Sequence, residues 1–243
     1  MPTGGQHSSE FARDVKETEL QQRLGNSEFV ASVFSWGTID SVYLWVCMEF
    51  CEGGSLSSLI NNKHDTIDRA KSVTWCKQLA LGLLHMHELL VMHRDIKPCN
   101  ILISLDVRGE SKIKYIDFGL ALQVDSDSPG PYGRAGTEDY MAPELDARLP
   151  YTLTVDCWSV GVVIFQLFTG TVQSAIAANR FILERKTINP TDHVYSFAAS
   201  GSTVDSGLDA ETVGLLELVL QGDPAKRASA NELVAFLVPL SVD

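Results

Sequence analysis

Two short motifs, in a set order, constrain this chain more than any other feature. The first is His93-Arg94-Asp95-Ile96-Lys97-Pro98-Cys99-Asn100, and Asp117-Phe118-Gly119 follows it. Between them lie two short strand-like runs, residues 101–103 and 112–116, around a turn at 106–110. Together the motifs hold a carboxylate fit to act as a base, a compact cation and two side chains with hard oxygen donors. That inventory suits the movement of a phosphoryl group from Mg·ATP to a hydroxyl. A solvated surface turn would account for any one of these residues, but not for all of them at this spacing.

The rest of the chain supplies a globular frame. Its 243 residues are 45% hydrophobic, enough for one large domain or two small lobes with a real core. Residues 1–9 are polar and read as a frayed, disordered end. Residues 10–24 read as a charged helix with Phe11, Val15, Leu20 and Leu24 as its apolar marks. Residues 29–34 and 41–50, rich in β-branched and aromatic side chains, read as strands. Glu52-Gly53-Gly54-Ser55 breaks that pattern and marks a boundary between lobes.

Beyond it the chain turns helical, with Cys76, Leu79, Ala80, Leu83 and His87 at helical spacing. Residues 155–168 are apolar on nearly every side, as in a helix at the centre of a domain. Residues 171–207 read as loop, with one short helix around 175–183. Asp209 caps a late helix, with Leu208 and Val213 placed as a hydrophobic staple. Ser229 and Glu232 form a capping box before Leu233 and Phe236. Local strands followed by many helices predict an α+β fold.

Several function classes are disfavoured. The net charge of −12 argues against nucleic acid and anionic membrane as primary partners. No apolar run approaches the roughly eighteen residues of a membrane span. Residues 1–10 lack the apolar core of a secretory signal. Five scattered cysteines, Cys47, Cys51, Cys76, Cys99 and Cys157, read as reduced thiols in an intracellular protein of the cytoplasm or nucleus. His85 and His87 sit among apolar residues without partners at metal spacing and read as packing histidines.

The segment from His93 to Asn100 resembles the catalytic loop of eukaryotic protein kinases of the Ser/Thr type. Asp117-Phe118-Gly119, Gly136-Thr137, Met141-Ala142-Pro143-Glu144, Asp156 with Trp158, Ser159 and Gly161, and Asp223-Pro224 with Arg227 follow in that family's order. The resemblance implies a bilobal protein-kinase-like fold. Residues 10–51 would be part of a β-rich small lobe ending in the hinge, and residues 52–240 a mainly α-helical large lobe. It also implies transfer of the ATP γ-phosphoryl group to a Ser or Thr hydroxyl of a protein substrate, with ATP and Mg²⁺ as cofactors.

Carried over residue by residue, Asp95 is the base, Lys97 the γ-phosphate cation, and Asn100 and Asp117 the Mg²⁺ ligands. Met48 falls at the gatekeeper position. Glu49 and Cys51 offer hinge backbone to adenine, and Leu102, Lys97 and Asp117 complete the nucleotide contacts. Thr137 helps select Ser/Thr substrates, and Phe118 packs beneath helix 10–24. Arg94 either anchors a phosphate in the activation segment or pairs with a local carboxylate. Ser126, Ser128 and Tyr132 are phosphate acceptors to consider in that segment. Glu144 and Arg227 form an ion pair.

The resemblance departs at the start of the chain. Glu17 falls where the family's helix glutamate sits, but its strand lysine would lie before Met1. There is no G-x-G-x-x-G, and no lysine in the first fifteen residues. Gln21 and Ser32 occupy positions where apolar residues usually stack. The first three strands of the small lobe are therefore expected to be missing, which would leave an exposed apolar sheet edge. An inactive, pseudokinase-like binding module is the alternative to an enzyme. A kinase whose missing residues are encoded upstream is the reading preferred here.

Overall fold

The computed structural model describes residues 6–40, 42–61, 67–125, 130–169, 195–197, 202–204 and 208–240. The architecture is α+β and bilobal. In the small lobe, β1 (Val33–Ile39) and β2 (Tyr43–Met48) form an antiparallel ribbon, with Val33 opposite Met48 and Ile39 opposite Tyr43. The first strand begins at Val33 rather than at residue 29 because the preceding residues have another partner. The Tyr115 N–H donates to the Phe29 carbonyl at 2.8 Å, and the Ala31 N–H donates to the Tyr115 carbonyl at 3.1 Å. This short pairing ties the small lobe to the large one.

Helix α1 (Gln6–Leu24) packs on the ribbon. It starts at Gln6, so residues 6–9 form its first turn instead of a frayed end. Extending an existing helix adds one hydrogen bond per residue fixed, which makes such an extension easy. Residues 1–5 lie outside the described residues. The two polar positions have specific partners. Gln21 is 7% exposed and its amide donates to the Ala31 carbonyl at 3.0 Å, while the Ser32 N–H reaches Glu49 Oε2 at 3.2 Å. Much of the ribbon is uncovered: Phe34, Ile39, Tyr43, Trp45, Val46 and Met48 are exposed, and Phe50 just beyond it is 80% exposed.

The large lobe follows the Gly53-Gly54 turn. Helices α2 (Leu56–Asn61) and α3 (Arg69–Glu88) lead to β3 (Val91–Met92). Asp68 starts α3 by accepting the Lys71 N–H at 2.7 Å. β4 (Ile101–Leu105) and β5 (Ser111–Tyr115) form an antiparallel hairpin with Ile101 opposite Tyr115, as the sequence predicts. Its Ile101, Ile103, Ile113 and Tyr115 face is buried. The hairpin returns the chain to the end it left, so Asn100 and Asp117 emerge side by side. β6 (Leu122–Gln123) then pairs with β3.

After α4 (Pro143–Asp146) comes α5 (Thr154–Thr169), in which every residue from Val155 to Leu167 is buried. Each fully buried Val, Ile or Phe side chain there contributes about 1.5–3 kcal/mol. A Cβ at Gly161 would lie 2.6 Å from Val219 Cγ2, so the bare backbone lets α6 (Ala210–Val219) close against α5. Asp209 caps α6, and Ser229 with Glu232 forms the capping box of α7 (Ala230–Leu237). A small hairpin, β7 (Tyr195–Phe197) with β8 (Ser202–Val204), stands inside the span read as loop. The short helix expected at 175–183 lies outside the described residues. Among the described residues no helix is long and apolar enough to cross a membrane.

Candidate active site

The loop between β3 and β4 gathers three of the four expected catalytic side chains around one carboxylate. Asp95 is 8% exposed. Lys97 Nζ donates to Asp95 Oδ2 at 2.8 Å and to Thr137 Oγ1 at 2.7 Å. The Thr137 hydroxyl donates to Asp95 Oδ1 at 2.7 Å. Asn100 Nδ2 donates to the Asp95 carbonyl at 2.9 Å and to Oδ2 at 3.2 Å. Burial works against the Lys97 charge, but the hydrogen bond and charge of Asp95 outweigh it and the ammonium pKa is raised. Lys97 therefore keeps its charge at neutral pH.

A buried carboxylate on α5 sets the loop's shape. Asp156 is fully buried and accepts the His93 N–H at 2.7 Å, the Arg94 N–H at 2.8 Å and His87 Nε2 at 3.2 Å. Arg94 has φ +65°, an uncommon value for a side-chain-bearing residue, and the two N–H bonds to Asp156 hold it there. The Asp95 N–H donates to His93 Nδ1 at 3.3 Å, which places the ring proton on Nε2, aimed at the Ile116 carbonyl 3.1 Å away. His87 thus supports Asp156, and His85 meets the Leu24 carbonyl at 3.1 Å.

Asp117, the fourth side chain, is exposed at φ +64°, and its Oδ1 accepts the Gly119 N–H at 3.3 Å. Phe118 is 2% exposed and its ring lies 4.9 Å from that of His93. Glu17 reaches down from α1 to this turn, where the Phe118 N–H donates to it. Burial and the negative charge of Asp117 push the Glu17 carboxyl pKa up.

The segment after Asp117 returns to the base. Gly136 has φ +104°, and a Cβ there would lie 2.2 Å from the Arg94 carbonyl oxygen. Only glycine allows this approach, which brings Thr137 onto Asp95. Arg94 Nε donates to the Leu120 carbonyl at 2.7 Å and its guanidinium to the Tyr151 hydroxyl at 3.0 Å. Tyr132 is exposed, and Ser126 and Ser128 lie outside the described residues. The Glu144–Arg227 pair is buried and two-pronged, at 2.6 and 2.9 Å. Arg227 also lies 5.2 Å from the Trp158 ring.

Sequence comparison agrees with this geometry. A family model described as "Protein kinase domain" matches residues 4–236. The chain belongs to the protein kinase family. Similar proteins carry Ser/Thr kinase names. Serine/threonine-protein kinase PAK mbt of Drosophila melanogaster is 34% identical over 234 residues, covering 91% of this chain and 34% of that protein. Serine/threonine-protein kinase PAK 5 of Rattus norvegicus is 34% identical over 233 residues, covering 91% and 30%. Serine/threonine-protein kinase ste20 of Aspergillus oryzae is 33% identical over 206 residues, covering 82% and 22%. The kinase chain spans about a third or less of the length of these relatives.

The segment expected to form the hinge runs from the end of β2. Met48 is 39% exposed and Cys51 is 8% exposed. Burial and the neighbouring Glu49 charge raise the Cys51 thiol pKa. The Gly53 N–H donates to the Ile103 carbonyl and the Ile103 N–H to the Gly54 carbonyl, each at 2.9 Å, which fixes the hinge against β4 next to Leu102. Sequence reasoning missed the Tyr151 contact of Arg94 and the Lys114–Glu49 pair at 2.9 Å. Both join residues far apart in the chain. The alternation of β5, which puts Lys114 on the face opposite Ile113 and Tyr115, was the available signal for the second.

Proposed function

We propose that this chain transfers the γ-phosphoryl group of Mg·ATP to Ser or Thr hydroxyls of protein substrates. The observation that carries this reading is the closed set of hydrogen bonds joining Asp95, Lys97, Thr137 and Asn100. Asp95 orients the substrate hydroxyl and takes its proton as the new bond to phosphorus forms. Lys97 bears a compact positive charge beside that carboxylate, where the γ-phosphate would lie. Met48, Glu49, Cys51 and Leu102 line the adenine end.

The residues fit a magnesium ion. Asn100 has its amide nitrogen committed to Asp95, which leaves its carbonyl oxygen as the donor. Asp117 has one oxygen on the Gly119 N–H and a second oxygen to offer. Among the described residues no group of three or more His, Cys, Asp or Glu side chains could hold a metal. Mg²⁺ needs none, because it takes one or two protein ligands and completes its shell with water and phosphate oxygens. When bound, it would offset the charge that develops on the phosphates. The acidic net charge favours basic segments as substrates.

The test is phosphotransfer from labelled Mg·ATP to a basic Ser/Thr peptide, with folded Asp95→Asn protein as control. Transfer by the parent should exceed the variant by at least about a hundredfold. Equal label in both would overturn the reading and leave a binding module.

A further inference from the structure

Resting on the nucleotide site proposed above, we infer that Lys114 is a positioning residue for ATP, acting through Glu49 to set the hinge against the floor of the adenine site. Lys114 lies outside the motifs singled out in the sequence. It lies on β5, directly opposite Leu102 on β4. Residues directly opposite in an antiparallel pair point to the same face. Lys114 and Leu102 therefore share one face of the hairpin, and two residues along β4 Ser104 does too.

That face meets Glu49, the first residue after β2. Lys114 Nζ lies 2.9 Å from Glu49 Oε1, with side-chain exposures of 10% and 20%. Ser104 Oγ lies 3.4 Å from the same oxygen. Glu49 Oε2 accepts the Ser32 N–H at 3.2 Å, and the Glu49 N–H donates to the Ser32 carbonyl at 2.8 Å. One carboxylate thus joins three segments: the approach to β1, the exit of β2 and the β4–β5 hairpin. Its charge is largely withdrawn from water, so a cation has to match it.

The consequence falls on the spacing between the Glu49–Cys51 backbone and Leu102, the proposed floor for adenine. The hinge is pinned at its far end by the paired bonds of Gly53 and Gly54 to Ile103. At its near end the Lys114–Glu49 pair does the same work from the opposite strand. A flat ring inserted between Leu102 and the hinge needs that gap held, and small misplacements of a binding group are expensive.

The experiment measures the dissociation constant of Mg·ATP by calorimetry, together with KM for ATP and kcat, on the parent, Lys114→Met and Lys114→Arg. Lys114→Met should raise both constants for ATP about tenfold, with kcat within about threefold. Lys114→Arg, able to make the same single N–O contact, should restore binding to within about threefold. A purely structural role would lower the folded fraction and hence kcat, while leaving KM at the parental value. Unchanged ATP affinity in folded Lys114→Met, beside a parent that binds ATP, overturns the inference alone. A folded parent that binds no ATP overturns the nucleotide reading, and this inference with it. If Lys114→Met fails to fold, Lys114→Gln, a neutral and shorter donor that leaves Glu49 in place, takes its place and the same two outcomes decide on it.

Discussion

At the scale of residues, Asp156 holds more of the active site than its distance from the chemistry suggests. It accepts two backbone N–H bonds from the loop carrying Asp95. Asp156→Asn puts an amide N–H where a donor already points. The loss expected is about 3 kcal/mol of stability in denaturant unfolding, with a fall in kcat. Burial alone would raise the Asp156 pKa, but the hydrogen bonds from His87 and the His93 N–H, with the attraction of His87, outweigh it, and the folded value lies below the ordinary 3.8. Its contribution is therefore fully present above pH 3.8 and is lost as pH falls through the lower folded value. Acid titration of the two proteins should show a shallower low-pH limb in the variant.

Gly136→Ala is expected to displace Thr137 from Asp95, because a methyl cannot share space with the Arg94 carbonyl at 2.2 Å. Phosphotransfer should fall at least about tenfold while far-UV circular dichroism stays the same. The side chains around Asp95 were legible in the sequence because they lie within two short motifs. Lys114 and Tyr151 were not, because each gains its meaning from a partner brought close only by folding.

At the scale of elements, the Glu144–Arg227 pair ties the start of α4 to the approach to α7. With side-chain exposures of 4% for Glu144 and 0% for Arg227, neither charge has water to fall back on. Arg227→Met should destabilise the chain by about 3–5 kcal/mol. Pairing it with Glu144→Leu should recover much of that loss in the same unfolding assay. The helix caps at Asp68, Asp209 and Ser229 use local bonds, and two of them were readable directly from side-chain type and spacing. The start of β1 was misjudged for the opposite reason. Residues 29–31 have the composition of a ribbon strand, but their backbone pairs with Tyr115 across the lobe junction.

At the scale of the whole molecule, the two lobes are unequal. Nearly all the large buried side chains belong to the helical lobe, while the β1–β2 ribbon leaves six large apolar residues exposed. An uncovered apolar ribbon favours association at high concentration. Tyr43→Ser with Phe50→Ser should lower the concentration-dependent light scattering of the chain and change its stability by less than about 1 kcal/mol. The bilobal, α+β plan was legible because the strand-like and helix-like stretches are segregated along the chain. The extent of the small lobe's exposure follows from how little covers it, a property no local pattern encodes. The same imbalance sets a hierarchy of amide exchange. Protons on the ribbon should be traded with solvent through shallow local openings, and those in α5 only when the whole chain unfolds. A nucleotide resting against the hinge would therefore slow deuterium uptake in the ribbon long before α5 registered its arrival, making the small lobe a built-in gauge of occupancy.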